Sequence, residues 1–170
     1  IENYPIYYLT GNLVWIFFSG ATNAAMTTLI DNKAMLIKVK LPLEIFVLAR
    51  VYTAVVNLGY SMVAYVVMLI VFRITPSWTM LFYPVVVFFL VLFSLGISYV
   101  LAVDSLSGFV KEMVVENPIF NYINCVRKVV MWGEMPTETE LLRMILWGVI
   151  SYLIGSIVFK MKKNQVMQKI

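Results

Sequence analysis

Residues 51–72 read VYTAVVNLGYSMVAYVVMLIVF, a run without a single charged side chain between Arg50 and Arg73. An α-helix rises 1.5 Å per residue, so about 20 predominantly apolar residues cross a hydrocarbon core of about 30 Å. The apolar positions follow one another continuously, where a barrel strand would alternate them with polar ones. The run therefore predicts a membrane-spanning helix. Working outward, similar stretches lie between Glu2 and Asp31, between Arg73 and Asp104, and between Arg143 and Lys160. Spans are expected over 5–30, 44–72, 76–103 and 141–159, the last so short that Arg143 snorkels from its end. Pro5, Pro76 and Pro84 fall near span starts, where a missing N–H costs little.

Composition agrees with this class: 62% of residues are hydrophobic, 13% are charged, and mean hydropathy is +0.89. A soluble domain of this length would carry roughly 25% charge. The expected fold is an all-α integral membrane bundle, with residues 1–170 forming a single transmembrane domain. A lone cysteine, Cys125, and no histidine leave no disulfide framework and no common transition-metal site. Cys125 is also the natural handle for a topology label. The net charge of +4 does not point to nucleic acid, since the lysines flank apolar runs, where they meet a membrane surface.

Lysine and arginine give the orientation. Segment 31–43 holds Lys33, Lys38 and Lys40, and tail 160–170 holds Lys160, Lys162, Lys163 and Lys169, so the positive-inside bias makes both cytoplasmic. Residues 104–140 carry three basic against six acidic side chains and are read as external. Four uninterrupted spans cannot satisfy all three assignments. With 31–43 inside, the third span returns to the cytoplasm near Val103, and the fourth would then carry the lysine tail out. A crossing missing near 103–107 resolves the conflict, and the sequence is expected to be incomplete there. No cleavable signal peptide is expected, because no basic region precedes the first span.

The run YPIYYLTGNLVWIFFSGATNAAM (4–26) followed by LIKVKLPLEIFVLARV (36–51) resembles the membrane subunit of ABC exporters for bacterial surface polysaccharides, the group that includes O-antigen and teichoic-acid permeases. A "YLLTG"-like stretch opens a span, a cytoplasmic loop ends in K-x-x-x-P, here Lys38 to Pro42, and two long spans follow. ENPIFNYINCVRKVVMWGEMP (116–136) is similar to that family's extracytoplasmic segment, with Asn117-Pro118 before a short helix and a Gly-x-x-Pro turn at Gly133 and Pro136. The resemblance implies a six-span permease of which this chain shows the second, third, fourth and sixth spans. An interfacial helix and first span before Ile1, and a further span after 80–103, are absent by the same comparison. It also implies a homodimer in the bacterial cytoplasmic membrane, a lipid-linked polysaccharide as cargo, and a separate ATPase subunit that holds ATP and Mg. No G-x-x-x-x-G-K-[ST] occurs in the chain, and no cofactor is expected in it.

Within that resemblance, 31–43 becomes a coupling helix that docks in the ATPase. Asp31 or Asn32 can cap it, and Pro42 ends it by disfavouring a helical Leu41. Met35, Leu36 and Ile37 would be its apolar knobs, with Lys33, Lys38 and Lys40 as the charged rim. The alternative is an ordinary basic loop. Ser19, Asn23 and Thr27 share one helical face, as do Thr53, Asn57 and Tyr60, and these stripes are candidates for the polymer path. Packing between helices explains such residues equally, and Gly20-x-x-x-Ala24 and Ser151-x-x-x-Gly155 are small-residue packing patterns. Arg50 is a candidate for a lipid diphosphate, with snorkelling or an ion pair to Glu44 as the alternative. Tyr7, Tyr8 and Trp15 near the external end of the first span, and Trp78 and Tyr83 at the start of the third, suit an interfacial belt, with a lining for the sugar exit as the alternative. Residues 105–140 are too polar to span and predict two short amphipathic interfacial helices, one carrying Phe109, Val110, Met113 and Val114, the other Ile123, Val126, Val130 and Met131. The resemblance makes this segment an external gate, with Phe109, Met113, Asn117, Pro118 and Tyr122 as its candidates; a cap on the bundle is the alternative. A membrane-embedded transferase of envelope synthesis would need Glu134, Glu138 or Glu140 as base, yet these sit in a solvated turn without a nucleophile. A passive structural subunit is the remaining alternative.

Overall fold

The computed structural model describes residues 4–38, 42–74, 77–104 and 118–169. All the regular structure among them is helical: α1 (Tyr4–Asp31), α2 (Lys33–Lys38), α3 (Glu44–Val71), a 3-10 turn (Trp78–Phe82), α4 (Tyr83–Asp104), α5 (Pro118–Arg127), a π turn (Lys128–Trp132) and α6 (Glu138–Lys169).

Three stretches among the described residues are long and apolar enough to cross a membrane: Glu44–Val71, Trp78–Ala102 and Glu138–Lys162. The expected fourth span, α1, has 28 residues and a length of about 42 Å. Thr10, Asn12, Ser19, Thr22, Asn23, Thr27 and Thr28 interrupt its apolar surface. Several of these hydroxyls return their proton to their own helix. Thr10 donates to the Ile6 carbonyl at 2.7 Å and Thr22 to that of Phe18 at 2.8 Å, so the polar atoms carry little cost inside the bundle.

Contacts fix the directions. Thr10 meets the Tyr65 hydroxyl and Asp31 meets Arg50, so α1 and α3 are antiparallel over their full lengths. Phe18 stacks on Phe93, with centroids 5.6 Å apart. Phe89 faces Gly148, Gly96 faces Ser151 and Gly155, and Tyr99 faces Phe159, so α4 and α6 run parallel. Two apolar clusters follow. One, at what we call the basic end, joins Leu29, Leu43, Phe46 and Val47 to Leu95, Tyr99, Ala102 and Phe159. The other joins Ile6, Tyr65, Val86, Tyr122, Val129 and Met144 at the opposite end. With α4 and α6 parallel, Asp104 lies at the basic end and Pro118 at the opposite end, and residues 105–117 lie outside the described residues. The end of α1 that leads into α2 and the Lys160 end of α6 share the basic end of the bundle.

At the α4–α6 crossing the two backbones come into direct contact. A Cβ on Gly155 would overlap the Gly96 carbonyl, and one on Gly96 would overlap the Ser151 backbone. The pattern Ser151-x-x-x-Gly155 thus packs as small-residue motifs do in lipid. Gly20-x-x-x-Ala24 does not, since nothing lies within 4 Å of a Cβ built on Gly20. At the end of α3, Arg73 takes a left-handed φ of 53° and the Ile74 N–H returns to the Leu69 carbonyl at 3.0 Å, which closes the helix before the 3-10 turn.

Candidate functional site: a groove between α1 and α3 and the ends that frame it

Between α1 and α3 lies a cavity of about 180 Å³. Gly20 and Ala24 form its floor on α1 because they lack bulk, and Arg50, Thr53, Asn57 and Ser61 line its α3 side at helical spacing. Leu13, Ile16 and Phe17 close it toward the end that carries Tyr65. Of the predicted path residues, Arg50, Thr53 and Asn57 come together here. Ser19 and Asn23 sit on the flank of α1, with Ser19 half-buried and Asn23 exposed, and neither lines the cavity. Tyr60 is 73% exposed and turns away from it. Ser61 was missed: the stripe from Thr53 through Asn57 continues at i+8, while Tyr60 at i+7 lies further round the helix. Thr53 donates to the Ala49 carbonyl at 2.9 Å and Ser61 to that of Asn57 at 3.0 Å, which leaves their oxygens as acceptors toward the groove.

Arg50 closes the groove at the basic end. Its Nη2 donates to Asp31 Oδ2 at 3.1 Å, and Thr27 Oγ1 donates to the same oxygen at 2.9 Å. The expected partner Glu44 precedes Arg50 by six residues, which puts the two side chains on different faces of α3. Thr27 is accordingly part of this junction instead of a lining residue. Both ionic side chains are over a third exposed, so the pair fixes geometry and adds little stability.

Beyond Asp31 the chain turns at Asn32, whose Nδ2 donates to the Thr28 carbonyl at 2.7 Å and so serves the last turn of α1. Then α2 runs from Lys33 to Lys38, with Met35 half exposed and Lys38 exposed. The side chains of Lys33, Leu36 and Ile37, and all of Lys40, lie outside the described residues.

The opposite end is framed by α5. Of the predicted gate residues, Phe109, Met113 and Asn117 lie outside the described residues, while Pro118 and Tyr122 are buried. Tyr122 is a core residue: its hydroxyl donates to the Met144 carbonyl at 2.8 Å, with the Phe89 carbonyl 3.3 Å away, and so joins α4, α5 and α6. Arg127 reaches back to α1, with its guanidinium carbon 3.7 Å over the Tyr7 ring and Nη1 donating to the Tyr7 hydroxyl at 2.9 Å. Gly11 of the YLTG stretch makes room for it, since a Cβ there would stand 2.6 Å from Arg127 Nη2.

Glu140 was expected to be solvated and is instead a hub. Its carboxylate accepts from Lys128 Nζ and Asn124 Nδ2 at 2.8 Å, and from the backbone N and Oγ1 of Thr137 at 2.9 Å. Thr137-x-x-Glu140 is a capping-box pattern, the signal that could have found it. Its hydrogen bond raises the Lys128 pKa above the usual lysine range, against a smaller opposing effect of burial. Burial pushes the Cys125 thiol up to about 11, with the Glu140 charge adding to it.

No family model matches the chain, and no solved structure matches it significantly. It is similar to an O-antigen export permease. The relative, O-antigen export system permease protein RfbA of Myxococcus xanthus, is 29% identical over 102 residues, covering 60% of this chain and 39% of that protein. The chain therefore matches well under half of the relative's length.

Proposed function

We propose that the chain is a transmembrane subunit of an ATP-driven exporter that moves a lipid-linked surface polysaccharide across the bacterial cytoplasmic membrane. The observation that carries this reading is the 29% identity over 102 residues to a protein named for O-antigen export. An ABC ATPase with its ATP and Mg would be a separate polypeptide, and the permease would act as a homodimer. O-antigen is the cargo the relative's name favours; teichoic acid and capsular glycan belong to the same class of lipid-linked polymer. In this reading α1 is a further span, supported by its length and by its contacts with α3 from Thr10 to Asp31.

The groove is the segment of polymer path this subunit contributes. Threonine, serine and asparagine present hydroxyl and amide groups to sugar hydroxyls without the tight grip of fixed charge, and Arg50 at its basic end suits the diphosphate of a lipid carrier. The short α2, at the basic end, is the docking element for the ATPase: its sequence supplies Met35, Leu36 and Ile37 as apolar contacts for a partner, with lysines to either side of them.

Co-purification with the ATPase subunit tests this. Replacing Met35, Leu36 and Ile37 with Asp lowers the ATPase recovered by tenfold or more while the permease still reaches the membrane. Undiminished recovery would remove α2 from the coupling role.

A further inference from the structure

A second pocket, of about 80 Å³, lies at the basic end where α3, α4 and α6 meet, apart from the α1–α3 groove. Its wall is aromatic. The Tyr99 ring lies 5.1 Å from Phe159 and 6.4 Å from Tyr152, tilted by 52° and 48°, so the three rings meet as a corner and do not stack flat. Tyr99 and Phe159 are buried, which holds the corner in place. Glu44, the first residue of α3, and Lys160, which ends the apolar run of α6, complete the lining with Ser156. Ser156 Oγ is shut from solvent and has no hydrogen-bond partner among the described residues.

Each part of this lining suits an ammonium group carrying an attached anion. Ring faces attract a cation through their quadrupole. Two phenol hydroxyls and a carboxylate offer acceptors for its N–H donors. Lys160 lies one turn beyond Ser156 and supplies the positive charge for the anion. A quaternary ammonium has no N–H to donate, so the polar lining favours a primary amine. The volume holds several water molecules, enough for an aminoethyl group. The pocket also sits where the apolar runs of α3 and α6 give way to charge, the level of lipid headgroups.

We propose that this pocket binds the phosphoethanolamine headgroup of a zwitterionic phospholipid, with the ammonium in the Tyr99–Tyr152–Phe159 corner facing Glu44 and the phosphate at Lys160. The lipid would tie α3 to α4 and α6 at the end where α2 projects. This rests on the chain being a membrane subunit and not on what it exports.

The test is thermal unfolding of the purified full chain in detergent, titrated with dioctanoyl phosphatidylethanolamine, with the phosphatidylglycerol and phosphatidylcholine analogues, and with water-soluble glycerophosphoethanolamine. The ethanolamine lipid is expected to raise the midpoint at tenfold lower concentration than the other two lipids, and the soluble headgroup to compete with it weakly. Tyr152→Leu and Glu44→Gln should weaken the effect tenfold or more. Lys160→Gln, at an exposed position, gives the same comparison without touching the core. Equal effects of phosphatidylglycerol or phosphatidylcholine would overturn the headgroup assignment. A response to the soluble headgroup alone would overturn the lipid source, and an unchanged response in all three variants would overturn the site. ATPase co-purification is read separately, so failure here leaves the export reading untouched.

Discussion

Gly155 of α6 lies against the carbonyl of Gly96 of α4 so closely that no side chain fits between them. This contact holds two parallel helices together, and it places the Lys160 end of α6 at the same end of the bundle as α2.

Gly155→Leu is therefore expected to force the helices apart and cost about 1–3 kcal/mol, the usual range for overpacking. Gly20→Leu, built into open space, should change the unfolding midpoint little. Thermal unfolding in detergent compares the two, and equal losses would show that the α4–α6 crossing is not the tight one.

Much of the fold was legible for a simple reason. Charge is so costly in lipid that its absence over 51–72 dictates a helix without reference to any other part of the chain. The contrast between Ser151-x-x-x-Gly155 and Gly20-x-x-x-Ala24 shows where legibility stops. A small-residue pattern says that a helix can be approached closely, not that another helix is there. Gly96 is a single glycine within α4, and its partner lies more than fifty residues away, so no local signal marked it. For the groove, the spacing on α3 put Thr53 and Asn57 on one face, and both line the cavity, while Arg50 found Asp31 across the hairpin because long-range partners are set by packing. Glu140 carried a legible capping pattern, but its ties to Lys128 and Asn124 depend on how α5 docks.

Arg127 and Gly11 form a second test pair. Gly11→Val should displace the guanidinium from Tyr7, and Arg127→Gln should remove the cation from the ring. Each is expected to destabilise by about 1–2 kcal/mol, in the range of a desolvated cation–π contact. The double variant should cost less than the sum, because both changes remove one interaction. Full additivity in detergent unfolding would show that they act separately.

The Lys128–Glu140 pair predicts a pH dependence. A lysine whose folded pKa is raised gives stability fully present below its ordinary value, about 10.4, and lost as pH rises through the higher folded value. The midpoint difference between wild type and Lys128→Gln should stay constant from neutral pH to about 10 and close above that. A difference that closed below pH 9 would contradict the pairing.

Cys125 is buried and its thiol is held up to about 11, so an impermeant maleimide should not label it until the chain is unfolded. It is therefore a poor topology handle. Met135→Cys in a Cys125→Ser background, at a position 55% exposed, should label rapidly from outside intact cells. Labelling of Met135→Cys only after permeabilisation would invert the orientation.

If α2 receives an ATPase, a photo-crosslinking residue at Met35 will lie within reach of it. In cells containing the ATPase subunit, a crosslinked adduct is expected from Met35 and none from Trp78, which is 90% exposed at the opposite end. An adduct from Trp78, or none from Met35 while the two proteins still co-purify, would contradict it.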